Sequence, residues 1–173
     1  MVEMVQKIEK EGFPNVQLSG CVNLLAQLQE MNPISFEISR AHKKFDIALT
    51  EFSESEQQLF NEYLVVDEKG KFELKKETAD KIVEAQSKGL QVSPTIEGFV
   101  MKPDLDFSEF SEKHQELRLT KIDIKVMAVN ARTKIVSVEG EGQKPLFEVL
   151  SKYFTSGQIL ALEEMGILTN LDD

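Results

Sequence analysis

The sequence predicts an α+β domain: a long antiparallel helical hairpin with a β-turn tip, plus a small antiparallel sheet and short C-terminal helices. Three observations carry that reading. Apolar residues recur at helical spacing from Ile34 to Tyr63, with no glycine or proline between them. Two β-prone runs flank the polar stretch Asp67-Glu68-Lys69-Gly70, which turns the chain back toward a second helical pattern. The last third then mixes short alternating runs with short helical ones. Residues 1–31 form short N-terminal helices, 32–89 the helical hairpin and 90–173 a smaller α+β portion. At 173 residues all three fit one domain.

The first predicted helix runs from Val2 to Lys10, with Val2, Val5 and Ile8 on one side and Gly12 and Pro14 ending it. A second spans about Gly20 to Met31, where Val22, Leu25, Leu28 and Met31 keep helical spacing. Asn32-Pro33 is a cap residue followed by a proline suited to a helical first turn, so the long helix starts there. Ile38, Ala41, Phe45, Ala48, Phe52 and Leu59 then fall on three- and four-residue steps, and Ser55 takes the one place where an apolar residue is missing. A helix of roughly 30 residues is about 45 Å long, longer than a compact domain of this size. Its apolar stripe has the form of a heptad seam. That seam either packs within the chain or pairs with a second copy.

Leu64 to Leu74 reads as a hairpin with Gly70 at the turn. A helix from about Lys76 to Lys88 offers Ala79, Ile82 and Val83 to the long helix, and Gly89 caps it. Gly89 to Asp106, with Pro94, Gly98 and Pro103, reads as a loop or irregular strand segment pinned by Ile96, Phe99 and Val100. Phe107 to Glu116 is a short helix with Phe107, Phe110 and His114 inward. Leu117 and Leu119 then alternate on one parity, and Ile122, Ile124 and Val126 on the other. One strand cannot bury both sets on a single face, so a break is expected near Thr120-Lys121. A strand at Lys134 to Glu139 completes an antiparallel ribbon with that segment, and helices at Leu146 to Phe154 and Gln158 to Met165 close the chain.

A net charge of −10 disfavours direct binding to nucleic acid or anionic membrane, since both reward clustered lysines and arginines. Lys43-Lys44 and Lys75-Lys76 are isolated pairs. No apolar run approaches the roughly 20 residues of a membrane span. The N-terminus has no secretory pattern, and a single cysteine, Cys21, allows no internal disulfide. The expected setting is a reducing cytoplasm.

Candidates for chemistry are sparse, and they must converge to act. His42 and Asp46 are four apart on the long helix, where an exposed helix pair is the simpler reading. Glu112, His114 and Glu116 supply metal-ligand atom types but straddle a structural transition. Cys21, at a predicted helix start, would have a dipole-stabilised thiolate, although a structural cysteine is the simpler reading. Gly140-Glu141-Gly142-Gln143-Lys144-Pro145 lacks the lysine and hydroxyl that complete a phosphate loop. The carboxylates between Glu97 and Glu116 lack calcium-loop spacing. The expectation is no catalytic, cofactor-binding or metal site.

Leu24-Leu25-Ala26-Gln27-Leu28, then Pro33-Ile34-Ser35-Phe36 at the head of a long charged helix, then Tyr63 and Asp67-Glu68-Lys69-Gly70-Lys71 at its end, resemble a family of small acidic tailed-phage proteins of uncharacterised function. Phe107-Ser108-Glu109-Phe110 through Leu119-Thr120-Lys121-Ile122 is similar to the family's acidic helix running into a strand. Gln158-Ile159-Leu160-Ala161-Leu162-Glu163-Glu164-Met165 is similar to its closing helix. The likeness covers about two thirds of the chain. The chain departs from it by an added N-terminal helix, an insertion around Gly89 to Asp106 and an extra strand at Lys134 to Glu139. The preference for lysine, with only 3 arginines among 20 basic residues, suits an AT-rich genome. The resemblance implies a phage-type protein of the host cytoplasm or virion and supplies no catalytic residues.

The functional expectation is a non-enzymatic protein that binds a protein partner, whether a virion or assembly component or a second copy of itself. Its partner face is placed on the polar side of the long helix and around Phe99, Met101, Asp104, Asp106, Glu109 and Glu112. The alternative is an acidic nucleic-acid mimic that inhibits a host nucleic-acid-binding or defence protein.

Overall fold

A computed structural model describes residues 12–136 and 142–172. The helix expected from Val2 to Lys10 lies outside them, as does the end of the strand expected through Glu139. The elements, in order, are β1 (Phe13–Pro14), a 3-10 turn (Asn15–Gln17), α1 (Leu18–Gln27), α2 (Ser35–Tyr63), α3 (Lys76–Ser87), a second 3-10 turn (Ile96–Gly98), α4 (Phe107–Leu119), β2 (Lys121–Ile122), β3 (Val129–Asn130), β4 (Lys134–Val136), β5 (Gln143–Pro145), α5 (Leu146–Leu150), α6 (Ser156–Glu164) and β6 (Leu168–Thr169). The class is α+β, with a long helix, small sheets and short C-terminal helices, as expected. The chain forms two compact units, one from residues up to Thr50 and from Thr120 onward, the other from Glu51 to Leu119.

The long helix begins at Ser35, two residues after the expected start at Pro33, and Asn32 organises the turn that leads into it. Asn32 Oδ1 accepts the Ile34 N–H at 3.0 Å and the Asn32 carbonyl accepts the Ser35 N–H at 3.2 Å, which satisfies donors that a helix start leaves open. In the first unit, Ile34, Ile38, Ala41, Phe45 and Ala48 are all buried. The stripe is therefore core, and the pairing of two copies through it is not needed to cover it. Farther along, Ser55 is exposed, whereas Glu56, Leu59 and Phe60 are half-buried and Tyr63 is buried. The inward set thus passes from Phe52 to Glu56 by four residues, and across the helix it advances about 3.6 residues per turn. That is the period of a straight helix, without the 3.5 repeat of a supercoil.

In the first unit, Phe13 packs edge-on against Phe45 with ring centroids 5.1 Å apart, and Leu18, Leu25, Leu150, Leu162 and Ile167 have no exposed surface. β1 pairs antiparallel with β2, with Phe13 opposite Ile122. β3 pairs parallel with β6, and β4 pairs antiparallel with β5. The expected ribbon between the Ile122 segment and the Lys134 segment is corrected by these partners. Each strand is only two or three residues long, so alternation alone could not fix which strand it would meet. α6 begins with a capping box, the Thr155 hydroxyl accepting from the Gln158 N–H at 3.2 Å while the Gln158 side chain accepts from the Thr155 N–H at 2.9 Å.

In the second unit the hairpin after α2 is present, with Val66 bridging Phe72. Asp67 organises its turn by accepting the Lys69 and Lys71 N–H groups at 2.8 and 2.9 Å, and Gly70 takes a φ of 76°, as a left-handed turn position requires. Below the tip the two arms diverge, and the segment Phe99 to Met101 joins them. Leu64 bridges Met101 and Leu74 bridges Phe99. Three backbone bonds of 2.9 Å form a closed ring: Val65 N–H to Val100 O, Val100 N–H to Glu73 O, and Glu73 N–H to Val65 O. Of the two readings expected for this stretch, loop or irregular strand segment, Phe99 to Met101 takes the second, as a wedge between the two arms. Gly98 leads into it, and a Cβ there would lie 2.6 Å from the Thr78 methyl. α3 ends as expected at Gly89, but it buries no residue, and Val83 is 65% exposed rather than packed on the long helix. Residues 117–119 are helical, not extended. The expected break falls at Thr120, where α4 stops and β2 begins.

Candidate functional site

The residues singled out between Phe99 and Glu112 divide by burial. Phe99 and Met101, half-buried, pack with Phe60, Phe72, Ile96 and Phe107 around Tyr63, Leu64 and Phe110. Tyr63 stacks on Phe110 at 5.3 Å, and Phe60 meets Phe72 and Phe110 edge-on, each at 5.7 Å. These rings form one cluster. Asp104, Asp106, Glu109 and Glu112 are exposed.

Each acid is placed by a local cause. Asp104 adopts a left-handed φ of 63°, which short polar side chains tolerate best after glycine, and the turn leaves Leu105 41% exposed. Asp106 caps α4: its Oδ1 accepts the Ser108 N–H at 2.9 Å and its carbonyl accepts the Phe110 N–H at 3.2 Å. Glu109 accepts a hydrogen bond from the Tyr63 hydroxyl at 2.9 Å and pairs with Lys113 at 2.9 Å. Lys113 in turn donates to the Tyr63 oxygen at 2.6 Å and lies over that ring, 5.2 Å from its centroid. The Lys113 ammonium, followed by the Tyr63 hydroxyl, holds the Glu109 carboxyl below the usual carboxylate range, while the Tyr63 hydroxyl and then Glu109 raise Lys113. Asp104 and Glu112 make no hydrogen bond or ion pair among the described residues.

The other candidates settle into structural roles. His114 is 8% exposed, lies parallel to Phe110, and hydrogen-bonds through Nε2 to Glu56 at 2.9 Å. Glu112 and Glu116 are exposed and do not join it. Among the described residues, no three metal-ligand side chains converge. Cys21 lines a cleft of about 610 Å³ with Phe13, Val16, Gly20, Glu164 and Met165. Its thiol is pushed above the ordinary range by burial first and by Glu164 second, which opposes the thiolate expected at a helix start. No helix among the described residues is long and apolar enough to cross a membrane. Gln143 to Pro145 forms β5, paired with β4, and Pro145 is also the N-cap of α5.

Sequence reading missed Tyr63, Lys113 and Glu56 as organising residues. Glu109 and Lys113 carry an i,i+4 signal, but nothing local announces a tyrosine 46 residues away in sequence. Comparison with family models, with characterised proteins and with solved structures returns no match.

Proposed function

We propose that this protein acts without catalysis, by docking an acidic surface of its second unit onto a basic protein partner. The observation that carries the reading is that Asp104 and Glu112 are exposed and make no hydrogen bond or ion pair among the described residues, in the same unit as the exposed Leu105 and the aromatic cluster around Phe110. Order matters here. A face already held in place loses little side-chain and backbone freedom on binding. Charged groups on it steer association and set specificity. A non-catalytic role is supported by His114, tied to Glu56, and by Cys21, whose thiol stays protonated. The resemblance to small acidic tailed-phage proteins gives a virion or assembly component, or the host cytoplasm, as the expected setting.

The nucleic-acid mimic is the weaker reading. A mimic needs a run of uncompensated negative charge, and Lys113 neutralises Glu109 in the middle of the acidic face. The test is affinity capture with three forms of the chain: wild type, Asp104→Asn/Glu112→Gln, and the equally charged control Glu77→Gln/Glu84→Gln on α3. A partner captured by wild type and control, and lost by the α4-face variant, supports the proposal. A partner that all three retain, or that none captures, contradicts it.

A further inference from the structure

We infer that the partner of this acidic face is a second copy of the chain, engaged through the outward stripe of α2 in the first unit. The inference rests on the acidic-face reading above and names its partner. Phe36, Arg40, Lys43 and Ile47 recur at four-, three- and four-residue steps, on the side of the helix away from Ile38, Ala41 and Phe45. Phe36 is 62% exposed and Ile47 52% exposed. Two large apolar side chains thus face solvent on the same stripe as two exposed cations.

The cations on this stripe are uncommitted. The Arg40 guanidinium lies over the Phe36 ring at 5.4 Å, and neither Arg40 nor Lys43 makes an ion pair or hydrogen bond among the described residues. The neighbouring Lys44, by contrast, is engaged by the Lys125 carbonyl. Glu37 and Asp46 flank the stripe without lying on it. A basic, apolar stripe on a chain with 30 acidic and 20 basic residues has its natural complement in the chain's own acidic surface. Asp104 and Glu112 supply the charge, and Leu105 the apolar contact. Such a contact is heterologous: one face of each copy meets a different face of the next.

Sedimentation velocity on full-length chains tests this. Wild type is expected to exceed the single-chain mass at roughly 0.1 M salt and to return to it at roughly 1 M, where screening is short-ranged. Arg40→Glu/Lys43→Glu breaks the basic face, and Asp104→Asn/Glu112→Gln breaks the acidic one, so each variant alone runs as a single chain. Mixed in equal amounts at low salt, they form a one-to-one dimer and nothing larger, because each keeps one intact face. A mixture that stays as single chains overturns the inference, as does a basic-face variant that associates like wild type. If the basic-face variant still captures a foreign partner that the acidic-face variant loses, the acidic-face reading stands and self-docking alone has failed.

Discussion

Glu109 is exposed, yet two partners from different elements hold its carboxylate, and this fixes how it responds to pH. Its folded-state proton affinity is depressed, by Lys113 first and Tyr63 second. Depression means that its contribution is present above the unfolded-state value and is lost as pH falls through the folded one. Lys113 is raised, so its share persists through neutral pH and is lost only in strongly alkaline solution. Thermal unfolding of wild type and Glu109→Gln should therefore differ at neutral pH and converge as pH falls below the usual carboxylate range. A gap that stays constant into acid would contradict the triad. At this scale the sequence was half legible. The Glu109–Lys113 spacing is visible on any helix, whereas the Tyr63 hydroxyl reaches them only because α2 ends against α4.

α2 is the element that sequence described best, since its cap, length and apolar period are all local properties. What period could not decide was the partner of the stripe, because a 3.5 and a 3.6 repeat diverge by only about 20° per heptad. The step from Phe52 to Glu56 decides it, and Ser55 is not a gap in a seam. Phe45→Ala should cost about 3–5 kcal/mol of stability and leave solution mass unchanged, as read by chemical denaturation and light scattering. Ser55→Leu should give no stabilisation, because the side chain would face solvent. A gain of more than about 1 kcal/mol would restore the seam reading. The wedge at Phe99 to Met101 was half legible: Phe99 and Val100 mark a pinned, irregular strand segment, but its ring of backbone bonds joins segments far apart in sequence, so its partners were not visible. Gly98→Ala should destabilise by about 1–3 kcal/mol, and adding Thr78→Ser should recover part of that loss by removing the opposing methyl. A harmless Gly98→Ala would contradict the close packing there. The strand pairs failed for a related reason. Phe13 and Ile122 meet across most of the chain, and two-residue strands carry no register signal of their own.

At the scale of the whole molecule, composition set the class and the charge, and charge was the more informative of the two. Within the net −10, Arg40 and Lys43 on one unit and Asp104 and Glu112 on the other make no ion pair among the described residues. Neither face is readable from a charge count, since each is defined by which neighbours are already satisfied. The central claim is that association runs through these charged faces and not through the buried stripe of Ile38, Ala41 and Phe45 on α2. Solution mass by light scattering, on the purified chain alone at roughly 0.1 M and 1 M salt, tests it most directly. A mass above that of one chain at low salt, falling to one chain at high salt, is the predicted result. An assembly of the same mass at both salts, or a single chain at both, would contradict it.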